Sequence, residues 1–404
     1  SNFLDGKVQR QNIDNITFEK SIPDTVYNHE KGKITDTTRA WDISAQGDES
    51  IVAWYVDSEI RNGIYKVHIA NNNQVPGQSA ITNNEIFANQ DSSHLFAYIG
   101  YSSKSTSKEA ITNIGYLNVS NVKYMDVMFF GTGYTAMTSL NLGSKFDTSN
   151  VTNMNSMFGE TGYTAMTSLN LGDKFDTISV TDMGRMFASA GYTAMTSLNL
   201  GDKFDTSNVT SMERMFEETG FTAMINLNLG SKFDTSNVRN MSGMFYQTGY
   251  TAMTSLDLGD KFDTSKVTNM SSMFSGTGYI AMTSLDLGDK FDTSNVDDMH
   301  YMFGETGYTA MTRLDLGDKF DTSNVRYMQY MFYQTGYTAM TSLKLGDKFN
   351  IDNVEYMNGM FYQTGYMSMT NLDLGPAFTK LIKERDMPQP SSLDETSYAS
   401  QVDE

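Results

Sequence analysis

A phrase of 29 residues returns along most of the chain and constrains its fold more than any other feature. The phenylalanine that ends the segment V-x-x-M-x-x-M-F recurs without a slip, at Phe129, Phe158, Phe187, Phe216, Phe245, Phe274, Phe303, Phe332 and Phe361. These nine copies span residues 121–378 of the 404. Repeats of this length are typical of solenoids, in which each coil packs against its sequence neighbours.

Two hydrophobic periodicities alternate within each copy. In Val151–Phe158 the apolar residues fall at i, i+3, i+6 and i+7, a pattern that predicts a short helix. Gly162 follows closely and can adopt the left-handed conformation that ends a helix. The segment Met166–Leu171 then changes to a period of two, which predicts a short strand with both of its leucines on one face. The predicted fold class is therefore an α/β solenoid of nine coils, with a parallel sheet on one side and short helices on the other.

Methionine is concentrated at the same repeat positions. Of the 29 methionines, 27 occupy three fixed positions per copy, such as Met154, Met157 and Met166. A methionine stripe could form a soft-metal site or a surface for target peptides. Because the stripe shares its phase with Val, Leu and Phe, we expect these side chains to fill the core instead.

The strand segment M-x-x-L-x-L follows the pattern of leucine-rich repeats. The longer string MTSLDLGDKFDTSKVTNMSSMF, residues 253–274, resembles the BspA-like leucine-rich-repeat surface proteins of bacteria, whose copies read L-D-L-S-x-F-D-T-S-N-V-x-x-M-x-x-M-F. The segments GDKF and TGYTAM are longer than in the usual family copy. The resemblance implies a leucine-rich-repeat fold and an exported adhesion or binding protein on the cell surface. It implies no catalytic activity and transfers no ligand-binding residues.

The composition of the chain agrees with a location on the cell surface. A formal net charge of −19 and a pI of about 4.6 argue against binding to nucleic acid or to an anionic membrane. The chain has no cysteine, and no apolar run is long enough to span a bilayer. It opens without an initiator methionine or a signal peptide, so we expect an excised mature fragment of an extracellular bacterial surface protein, with any anchor outside this fragment.

We divide the chain into four parts. Residues 1–92 are predicted to be a β-rich N-terminal capping domain, with strands at Thr37–Ile43, Ser50–Val56 and Gly63–Ile69. A degenerate first repeat occupies 93–120, the leucine-rich-repeat solenoid 121–378, and a C-terminal cap and linker 379–404. Caps are expected because an open solenoid end exposes apolar core.

Motifs for chemistry are sparse. The four histidines lack metal-ligand spacing, and no nucleophile elbow or phosphate-binding loop is present. We therefore predict no catalytic residue, no metal ligand and no cofactor, and we expect the chain not to be an enzyme. Calcium bound between stacked aspartates is the alternative, because like charges about 4.8 Å apart repel. Those ladders are Asp176, Asp205, Asp234, Asp263, Asp292 and Asp321, and Asp173, Asp202, Asp260, Asp289, Asp318 and Asp347. Helix capping by the first ladder, and neutralisation of the second by Lys174, Lys203, Lys261 and their equivalents, explain them more simply.

The most variable positions point to a binding surface. Counted from the valine of each segment, positions +2, +5 and +8 form an outward stripe, which carries small or polar residues in early copies. Late in the chain it becomes aromatic, at Tyr301, Tyr327, Tyr330, Tyr333, Tyr356 and Tyr362. Exposed tyrosine clusters are favoured at recognition surfaces, although stacked tyrosines could also merely pack along the rod.

The predicted function is a non-catalytic adhesin that recognises a host or bacterial surface protein or a glycan through this tyrosine patch, with no nucleic-acid partner and no direct membrane insertion. A structural spacer that presents another domain is the main alternative. An envelope enzyme would have to be housed in residues 1–92.

Overall fold

The computed structural model describes residues 8–72 and 85–376. The chain divides into two compact units, Ser1–Ser179 and Val180–Glu404. The predicted C-terminal cap and linker, 379–404, lies outside the described residues.

Short strands make up most of the regular structure. Among the described residues, three 3-10 helices lie at Arg10–Asn12, Asp57–Glu59 and Ile114–Tyr116. The described strands are β1 (Ile13–Glu19), β2 (Tyr27–Asn28), β3 (Lys33–Ile34), β4 (Ala40–Asp42), β5 (Ile51–Trp54), β6 (Tyr65–Asn71), β7 (Ile86–Phe87), β8 (Ile111–Thr112), β9 (Leu117–Asn118), β10 (Ser139–Asn141), β11 (Ser168–Asn170), β12 (Ser197–Asn199), β13 (Asn226–Asn228), β14 (Arg313–Asp315), β15 (Ser342–Lys344) and β16 (Asn371–Asp373).

The first unit begins with a five-stranded mixed sheet in the order β4-β5-β6-β1-β8. The three strands predicted from alternating apolar residues appear as β4, β5 and β6, whereas β1 was not predicted. β1 pairs in parallel with both β6 and β8, so the N-terminal sheet is hydrogen-bonded directly to the degenerate repeat. Phe18 of β1 also packs edge-on against Phe96, whose ring stacks on Phe129. The sheet is therefore joined to the repeats of this unit both by strand pairing and by an aromatic contact with their core.

The leucine segments of the repeats pair in parallel within each unit. β10 pairs with β11, β12 with β13, and β14, β15 and β16 pair in succession, always between equivalent residues such as Leu314 and Leu343. The leucines of the internal segments face inward, as shown by Leu198 and Leu200, which are buried. Seven of the nine copies thus form a short strand at this segment, whereas the copies with Leu256 and Leu285 form none there. This arrangement is consistent with the predicted solenoid.

The predicted helices are wrong. The segment V-x-x-M-x-x-M-F forms consecutive turns in every repeat. The amides of Met270, Ser272 and Phe274 donate to carbonyls of the following repeat, at 2.9, 2.8 and 2.9 Å. The amides that alternate with these, such as those of Met273 and Ser275, donate instead to the carbonyls three residues earlier in the same repeat. Alternate amides therefore serve the neighbouring repeat, so the continuous i to i−4 ladder of a helix cannot form.

The apolar positions nevertheless point inward as predicted. Val151, Met154, Met157 and Phe158 are fully buried, and their equivalents in the other internal repeats behave likewise. Phenylalanine rings stack from repeat to repeat, for example Phe274 on Phe303 with centroids 5.7 Å apart. The methionine stripe is therefore core. The left-handed conformation predicted for Gly162 is confirmed at φ 58°, where it permits the turn into Met166.

Candidate functional site

Turns, and not a helix face, place the six tyrosines of the tyrosine patch. At position +2, Asp298, Tyr327 and Tyr356 are joined by successive parallel bridges between repeats. Position +5 has a positive φ in every one of the nine copies, including 55° at Tyr301 and 56° at Tyr330. Positions +2 and +5 therefore form two parallel rows that cross the repeats.

The six rings form two groups. Tyr301 stacks on Tyr330 with centroids 4.8 Å apart, and Tyr333 contacts both rings at a steep angle. Tyr333 also stacks on Tyr362, which completes a cluster of four. The second group is the pair Tyr327 and Tyr356, stacked at 5.5 Å. Stacking covers one face of each ring in a pair and leaves the outer faces, the ring edges and the hydroxyl groups for other contacts.

A surface cleft of about 500 Å3 is lined by tyrosines of both groups, Tyr301 and Tyr330 from the first and Tyr327 from the second. Asp298 lines it too, as do His300, Gln329 and Asn358, which hold position +4 in three consecutive copies. We call this the tyrosine cleft. It combines aromatic side chains with a few polar groups, the usual make-up of a recognition site.

Two residues that line the tyrosine cleft, Asp298 and Gln329, carry hydrogen-bond acceptors. Asp298 Oδ1 accepts hydrogen bonds from the backbone N–H of His300 at 3.0 Å and from its ring Nδ1 at 2.7 Å. That second hydrogen bond raises the pKa of His300, against the opposing effect of burial. Gln329 Oε1 is buried and has no hydrogen-bond partner among the described residues. An unpaired buried acceptor costs about 1–3 kcal/mol, so a donor from outside would be favoured here.

The left-handed backbone of position +5, which recurs in all nine copies, carries a tyrosine in two of them, at Tyr301 and Tyr330. A left-handed conformation costs a residue with a side chain about 1–2 kcal/mol, and bulky residues rarely adopt it. Other repeats place glycine at the same position, as at Gly243 and Gly359, both with a positive φ. Gly359 also makes room for a neighbour, because a Cβ there would lie 2.4 Å from Tyr330 Cε1. The fold therefore has an easier residue available than tyrosine at this position.

A second depression of about 550 Å3 lies on the preceding repeats and shares His300 with the tyrosine cleft. Arg214, Glu217 and Tyr246 line it together with small residues such as Ser242 and Ser271. Arg214 pairs with Glu217 at 2.8 Å, while burial raises the pKa of that carboxyl group. The sequence comparison of copies did not identify this depression or the polar row at position +4.

A longer aromatic row at position +12 was also missed. The row consists of Tyr192, Phe221, Tyr250, Tyr279, Tyr308, Tyr337 and Tyr366, with neighbouring centroids 4.4–5.4 Å apart. Burial raises the pKa of Tyr279 and of Tyr308. Burial also raises the pKa of Glu305, a half-buried carboxyl group close to this row. The row corresponds to the aromatic residue that follows the repeated T-G or A-G in each copy, which the sequence analysis did not single out.

The aspartate ladder before the turn segment has a local structural role. Asp205 Oδ1 accepts the backbone N–H of Ser207 at 3.1 Å and its hydroxyl at 2.6 Å, and Asp234 and Asp263 accept the equivalent amide. Lys232 lies 3.9 Å from Asp205. Within residues 8–72 and 85–376, no group of three or more His, Asp or Glu side chains is placed to share a metal ion. Because turns replace the predicted helices, the first ladder caps turns and not helix starts. The contact of Lys232 falls on this first ladder, whereas lysine pairing was predicted for the second.

In the part of the chain that the structure describes, no helix has both the length and the apolar character needed to cross a membrane.

Short parallel strands and inter-repeat turn bonds define the class as a repeat protein built from consecutive, laterally paired units. The chain belongs to the family described as "Mycoplasma protein of unknown function, DUF285", whose model matches residues 100–193, 162–278, 192–307 and 249–373. These overlapping matches cover the internal copies. No curated protein and no solved structure matches the chain.

Proposed function

We propose that this chain is a non-catalytic binding protein of the bacterial cell surface, of the BspA-like leucine-rich-repeat type, which recognises a macromolecular partner through the tyrosine patch. The observation that carries the proposal is the tyrosine cleft. In it, the stacked rings of Tyr301 and Tyr330 from adjacent repeats line one surface cleft together with Tyr327.

Variation among the copies favours recognition over packing. Glycine or serine occupies position +5 in other repeats, so tyrosine there is not required for a repeat to form. The left-handed backbone at this position recurs in all nine copies, so it belongs to the repeat, and the tyrosine side chains alone distinguish these copies. Two of the six rings are well exposed, Tyr356 at 50% and Tyr362 at 39%, and the other four are half-buried. Aromatic side chains in such a setting are common anchors of protein interfaces.

The rest of the proposal rests on sequence. Its acidic, cysteine-free composition suits an extracellular bacterial protein and disfavours nucleic acid as a partner. Catalysis needs a unique constellation of residues, whereas most polar side chains here recur in every copy. We propose no cofactor and no anchoring segment within these residues.

The test is an array of surface proteins and glycans probed with the wild-type chain and a triple variant. Tyr327→Asn, Tyr330→Ser and Tyr333→Gly restore the residues of the second copy, Asn153, Ser156 and Gly159. We expect a ligand of the wild type to lose at least tenfold in affinity, because an interface tyrosine can contribute about 2 kcal/mol.

A matched control makes the same exchange elsewhere in the second unit. Asp182→Asn, Arg185→Ser and Ala188→Gly leave the net charge and the tyrosine patch unchanged, and should leave binding unchanged. Equal affinity of the tyrosine triple variant and the wild type would remove the patch from the binding site. A wild-type chain that binds no member of the array would favour the spacer.

A further inference from the structure

The tyrosine cleft has the character of a site for a positively charged side chain. Gln329 Oε1 is a buried acceptor without a partner among the described residues. Both hydrogen bonds that His300 donates to Asp298 are accepted by the same oxygen, Oδ1. The side chain of Asp298 is 22% exposed, so its charge is partly shielded from water. A ligand that completes this site must bring hydrogen-bond donors.

The aromatic and acceptor groups of the cleft together suit a cation. Stacking covers one face of Tyr301 with Tyr330 and one face of Tyr327 with Tyr356, so the other face of Tyr301 and of Tyr327 lies outside its stack. Aromatic faces attract cations, and the donors of a guanidinium or ammonium group match carbonyl and carboxylate oxygens.

The same repeats already hold one such cation. Arg326 donates to both oxygens of Asp297, at 2.5 and 2.8 Å, and its guanidinium lies 5.4 Å from the centre of the Tyr327 ring. This arrangement lies one residue away from the cleft, at position +1. An aspartate of one repeat and a tyrosine of the next can therefore bind an arginine side chain together. The cleft contains the same two residue types at position +2, as Asp298 and Tyr327.

The charge of the cleft and of the whole chain also favours a positively charged ligand. The seven residues that line the tyrosine cleft include no lysine and no arginine. The whole chain carries a formal net charge of −19, which attracts a cationic partner and repels an anionic one. The second depression differs in this respect, since Arg214 lines it.

We infer that the tyrosine cleft receives an arginine or lysine side chain from a segment of a partner protein, with Asp298 and Gln329 as the acceptors. This inference rests on the proposed function and specifies the chemistry of the partner. The charged group enters between Tyr327 and Tyr330, and the tyrosine clusters on either side contact the rest of the segment.

The probe is a Gly/Ser peptide with arginine at alternate positions, compared with the same peptide carrying neutral citrulline. Both are titrated against the full chain by calorimetry. We expect the citrulline peptide to bind about tenfold more weakly or not at all, because charge-assisted hydrogen bonds are lost. Equal binding of the two peptides would overturn the inference.

Asp298→Asn separates the local site from bulk charge. Asparagine occupies the same position as Asn240 and Asn269 in other repeats, so the fold accepts it. The matched control, Asp182→Asn, removes one charge from the same position outside the cleft. We expect about a tenfold loss of arginine-peptide affinity for Asp298→Asn and less than a twofold change for the control.

Equal losses in the two variants would show attraction by bulk charge alone and overturn the inference. Failure of the arginine peptide, with a neutral glycan lost in the tyrosine triple variant, would overturn the cationic ligand and leave the proposed function in place. Failure of every probe and every array member would contradict both.

Discussion

The ring of Tyr330 lies over Gly359 of the next repeat, and a Cβ on that glycine would come within 2.4 Å of Tyr330 Cε1. One side of the tyrosine cleft is therefore set by the smallest residue in its neighbour. Binding can be altered here without changing a tyrosine.

Gly359→Ala should displace the Tyr330 ring and lower the affinity for any ligand of the tyrosine patch by at least tenfold. The new methyl group cannot share space with a ring held between Tyr301 and the next repeat. Gly243→Ala is the control, since it has a similar positive φ but meets the flexible side chain of Arg214 at 3.0 Å. Titration of both variants against the same ligand checks this, and equal loss of affinity in the two would contradict it.

Tyr330→Asn should change the free energy of unfolding by no more than about 1 kcal/mol. Asparagine tolerates the left-handed conformation, which offsets the stacking energy of about 0.5–1.5 kcal/mol lost with the ring. Phe332→Ala, two residues away in the buried stack, should cost about 3–5 kcal/mol. Denaturant unfolding of both variants is the measurement, and a comparable loss in Tyr330→Asn would show that the tyrosine row is structural packing.

Thr248→Val should destabilise the chain by about 1–3 kcal/mol. The hydroxyl of this fully buried threonine donates to the carbonyl of Phe216 at 2.6 Å, and valine would leave that carbonyl short of one donor. The exposed Thr251 is the matched control, and Thr251→Val should have little effect. The comparison uses chemical unfolding midpoints, and an unchanged midpoint for Thr248→Val would contradict the prediction.

Removal of residues 1–92 should cause aggregation. β1 would no longer pair with β8, and Phe96 would lose its contact with Phe18, so apolar core would be open to solvent. Light scattering of the truncated chain measures the effect. A monomer with unchanged thermal unfolding would show that the N-terminal region is a separate module.

The pair of His300 and Asp298 should make a small, pH-dependent contribution to stability. Because hydrogen bonding to Asp298 raises the folded-state pKa of His300 above 6.5, the contribution is complete below that value and is lost as the pH rises through the raised pKa. The difference in unfolding midpoint between the wild type and His300→Gln should be largest near about pH 6 and shrink by about pH 8.5. The effect is small because the imidazole side chain is 43% exposed. A difference that grows with pH would contradict this assignment.

The sequence alone was enough to predict which residues of each repeat lie in the core, because these positions recur at a fixed spacing. The apolar phase placed Met154 and Leu169 in the core, and both are buried. It could not separate a helix from consecutive turns, because both put apolar residues about three positions apart, and the deciding hydrogen bonds run to another repeat.

The candidate site was predicted in part. Comparison of copies found all six tyrosines, but the gap between Tyr327 and Tyr330 depends on how the turns direct each side chain. Gln329 gave no signal, since its importance lies in a missing hydrogen-bond donor that no sequence pattern records. β1 was missed for a related reason, because its partners β6 and β8 are remote in sequence.

The alternation of amides in the turn segment also governs how such a chain can change in length. Each repeat offers every second amide to a fixed carbonyl of the next, as Ser272 does to His300. Inserting one residue would exchange the amides that donate to the next repeat with those that donate within their own repeat. Inserting 29 residues would leave every hydrogen-bond pairing intact. Whole copies are therefore the natural unit of duplication and loss. Because the tyrosine cleft draws residues from three consecutive copies, it can be moved along the array or transplanted into a related chain as a block of three.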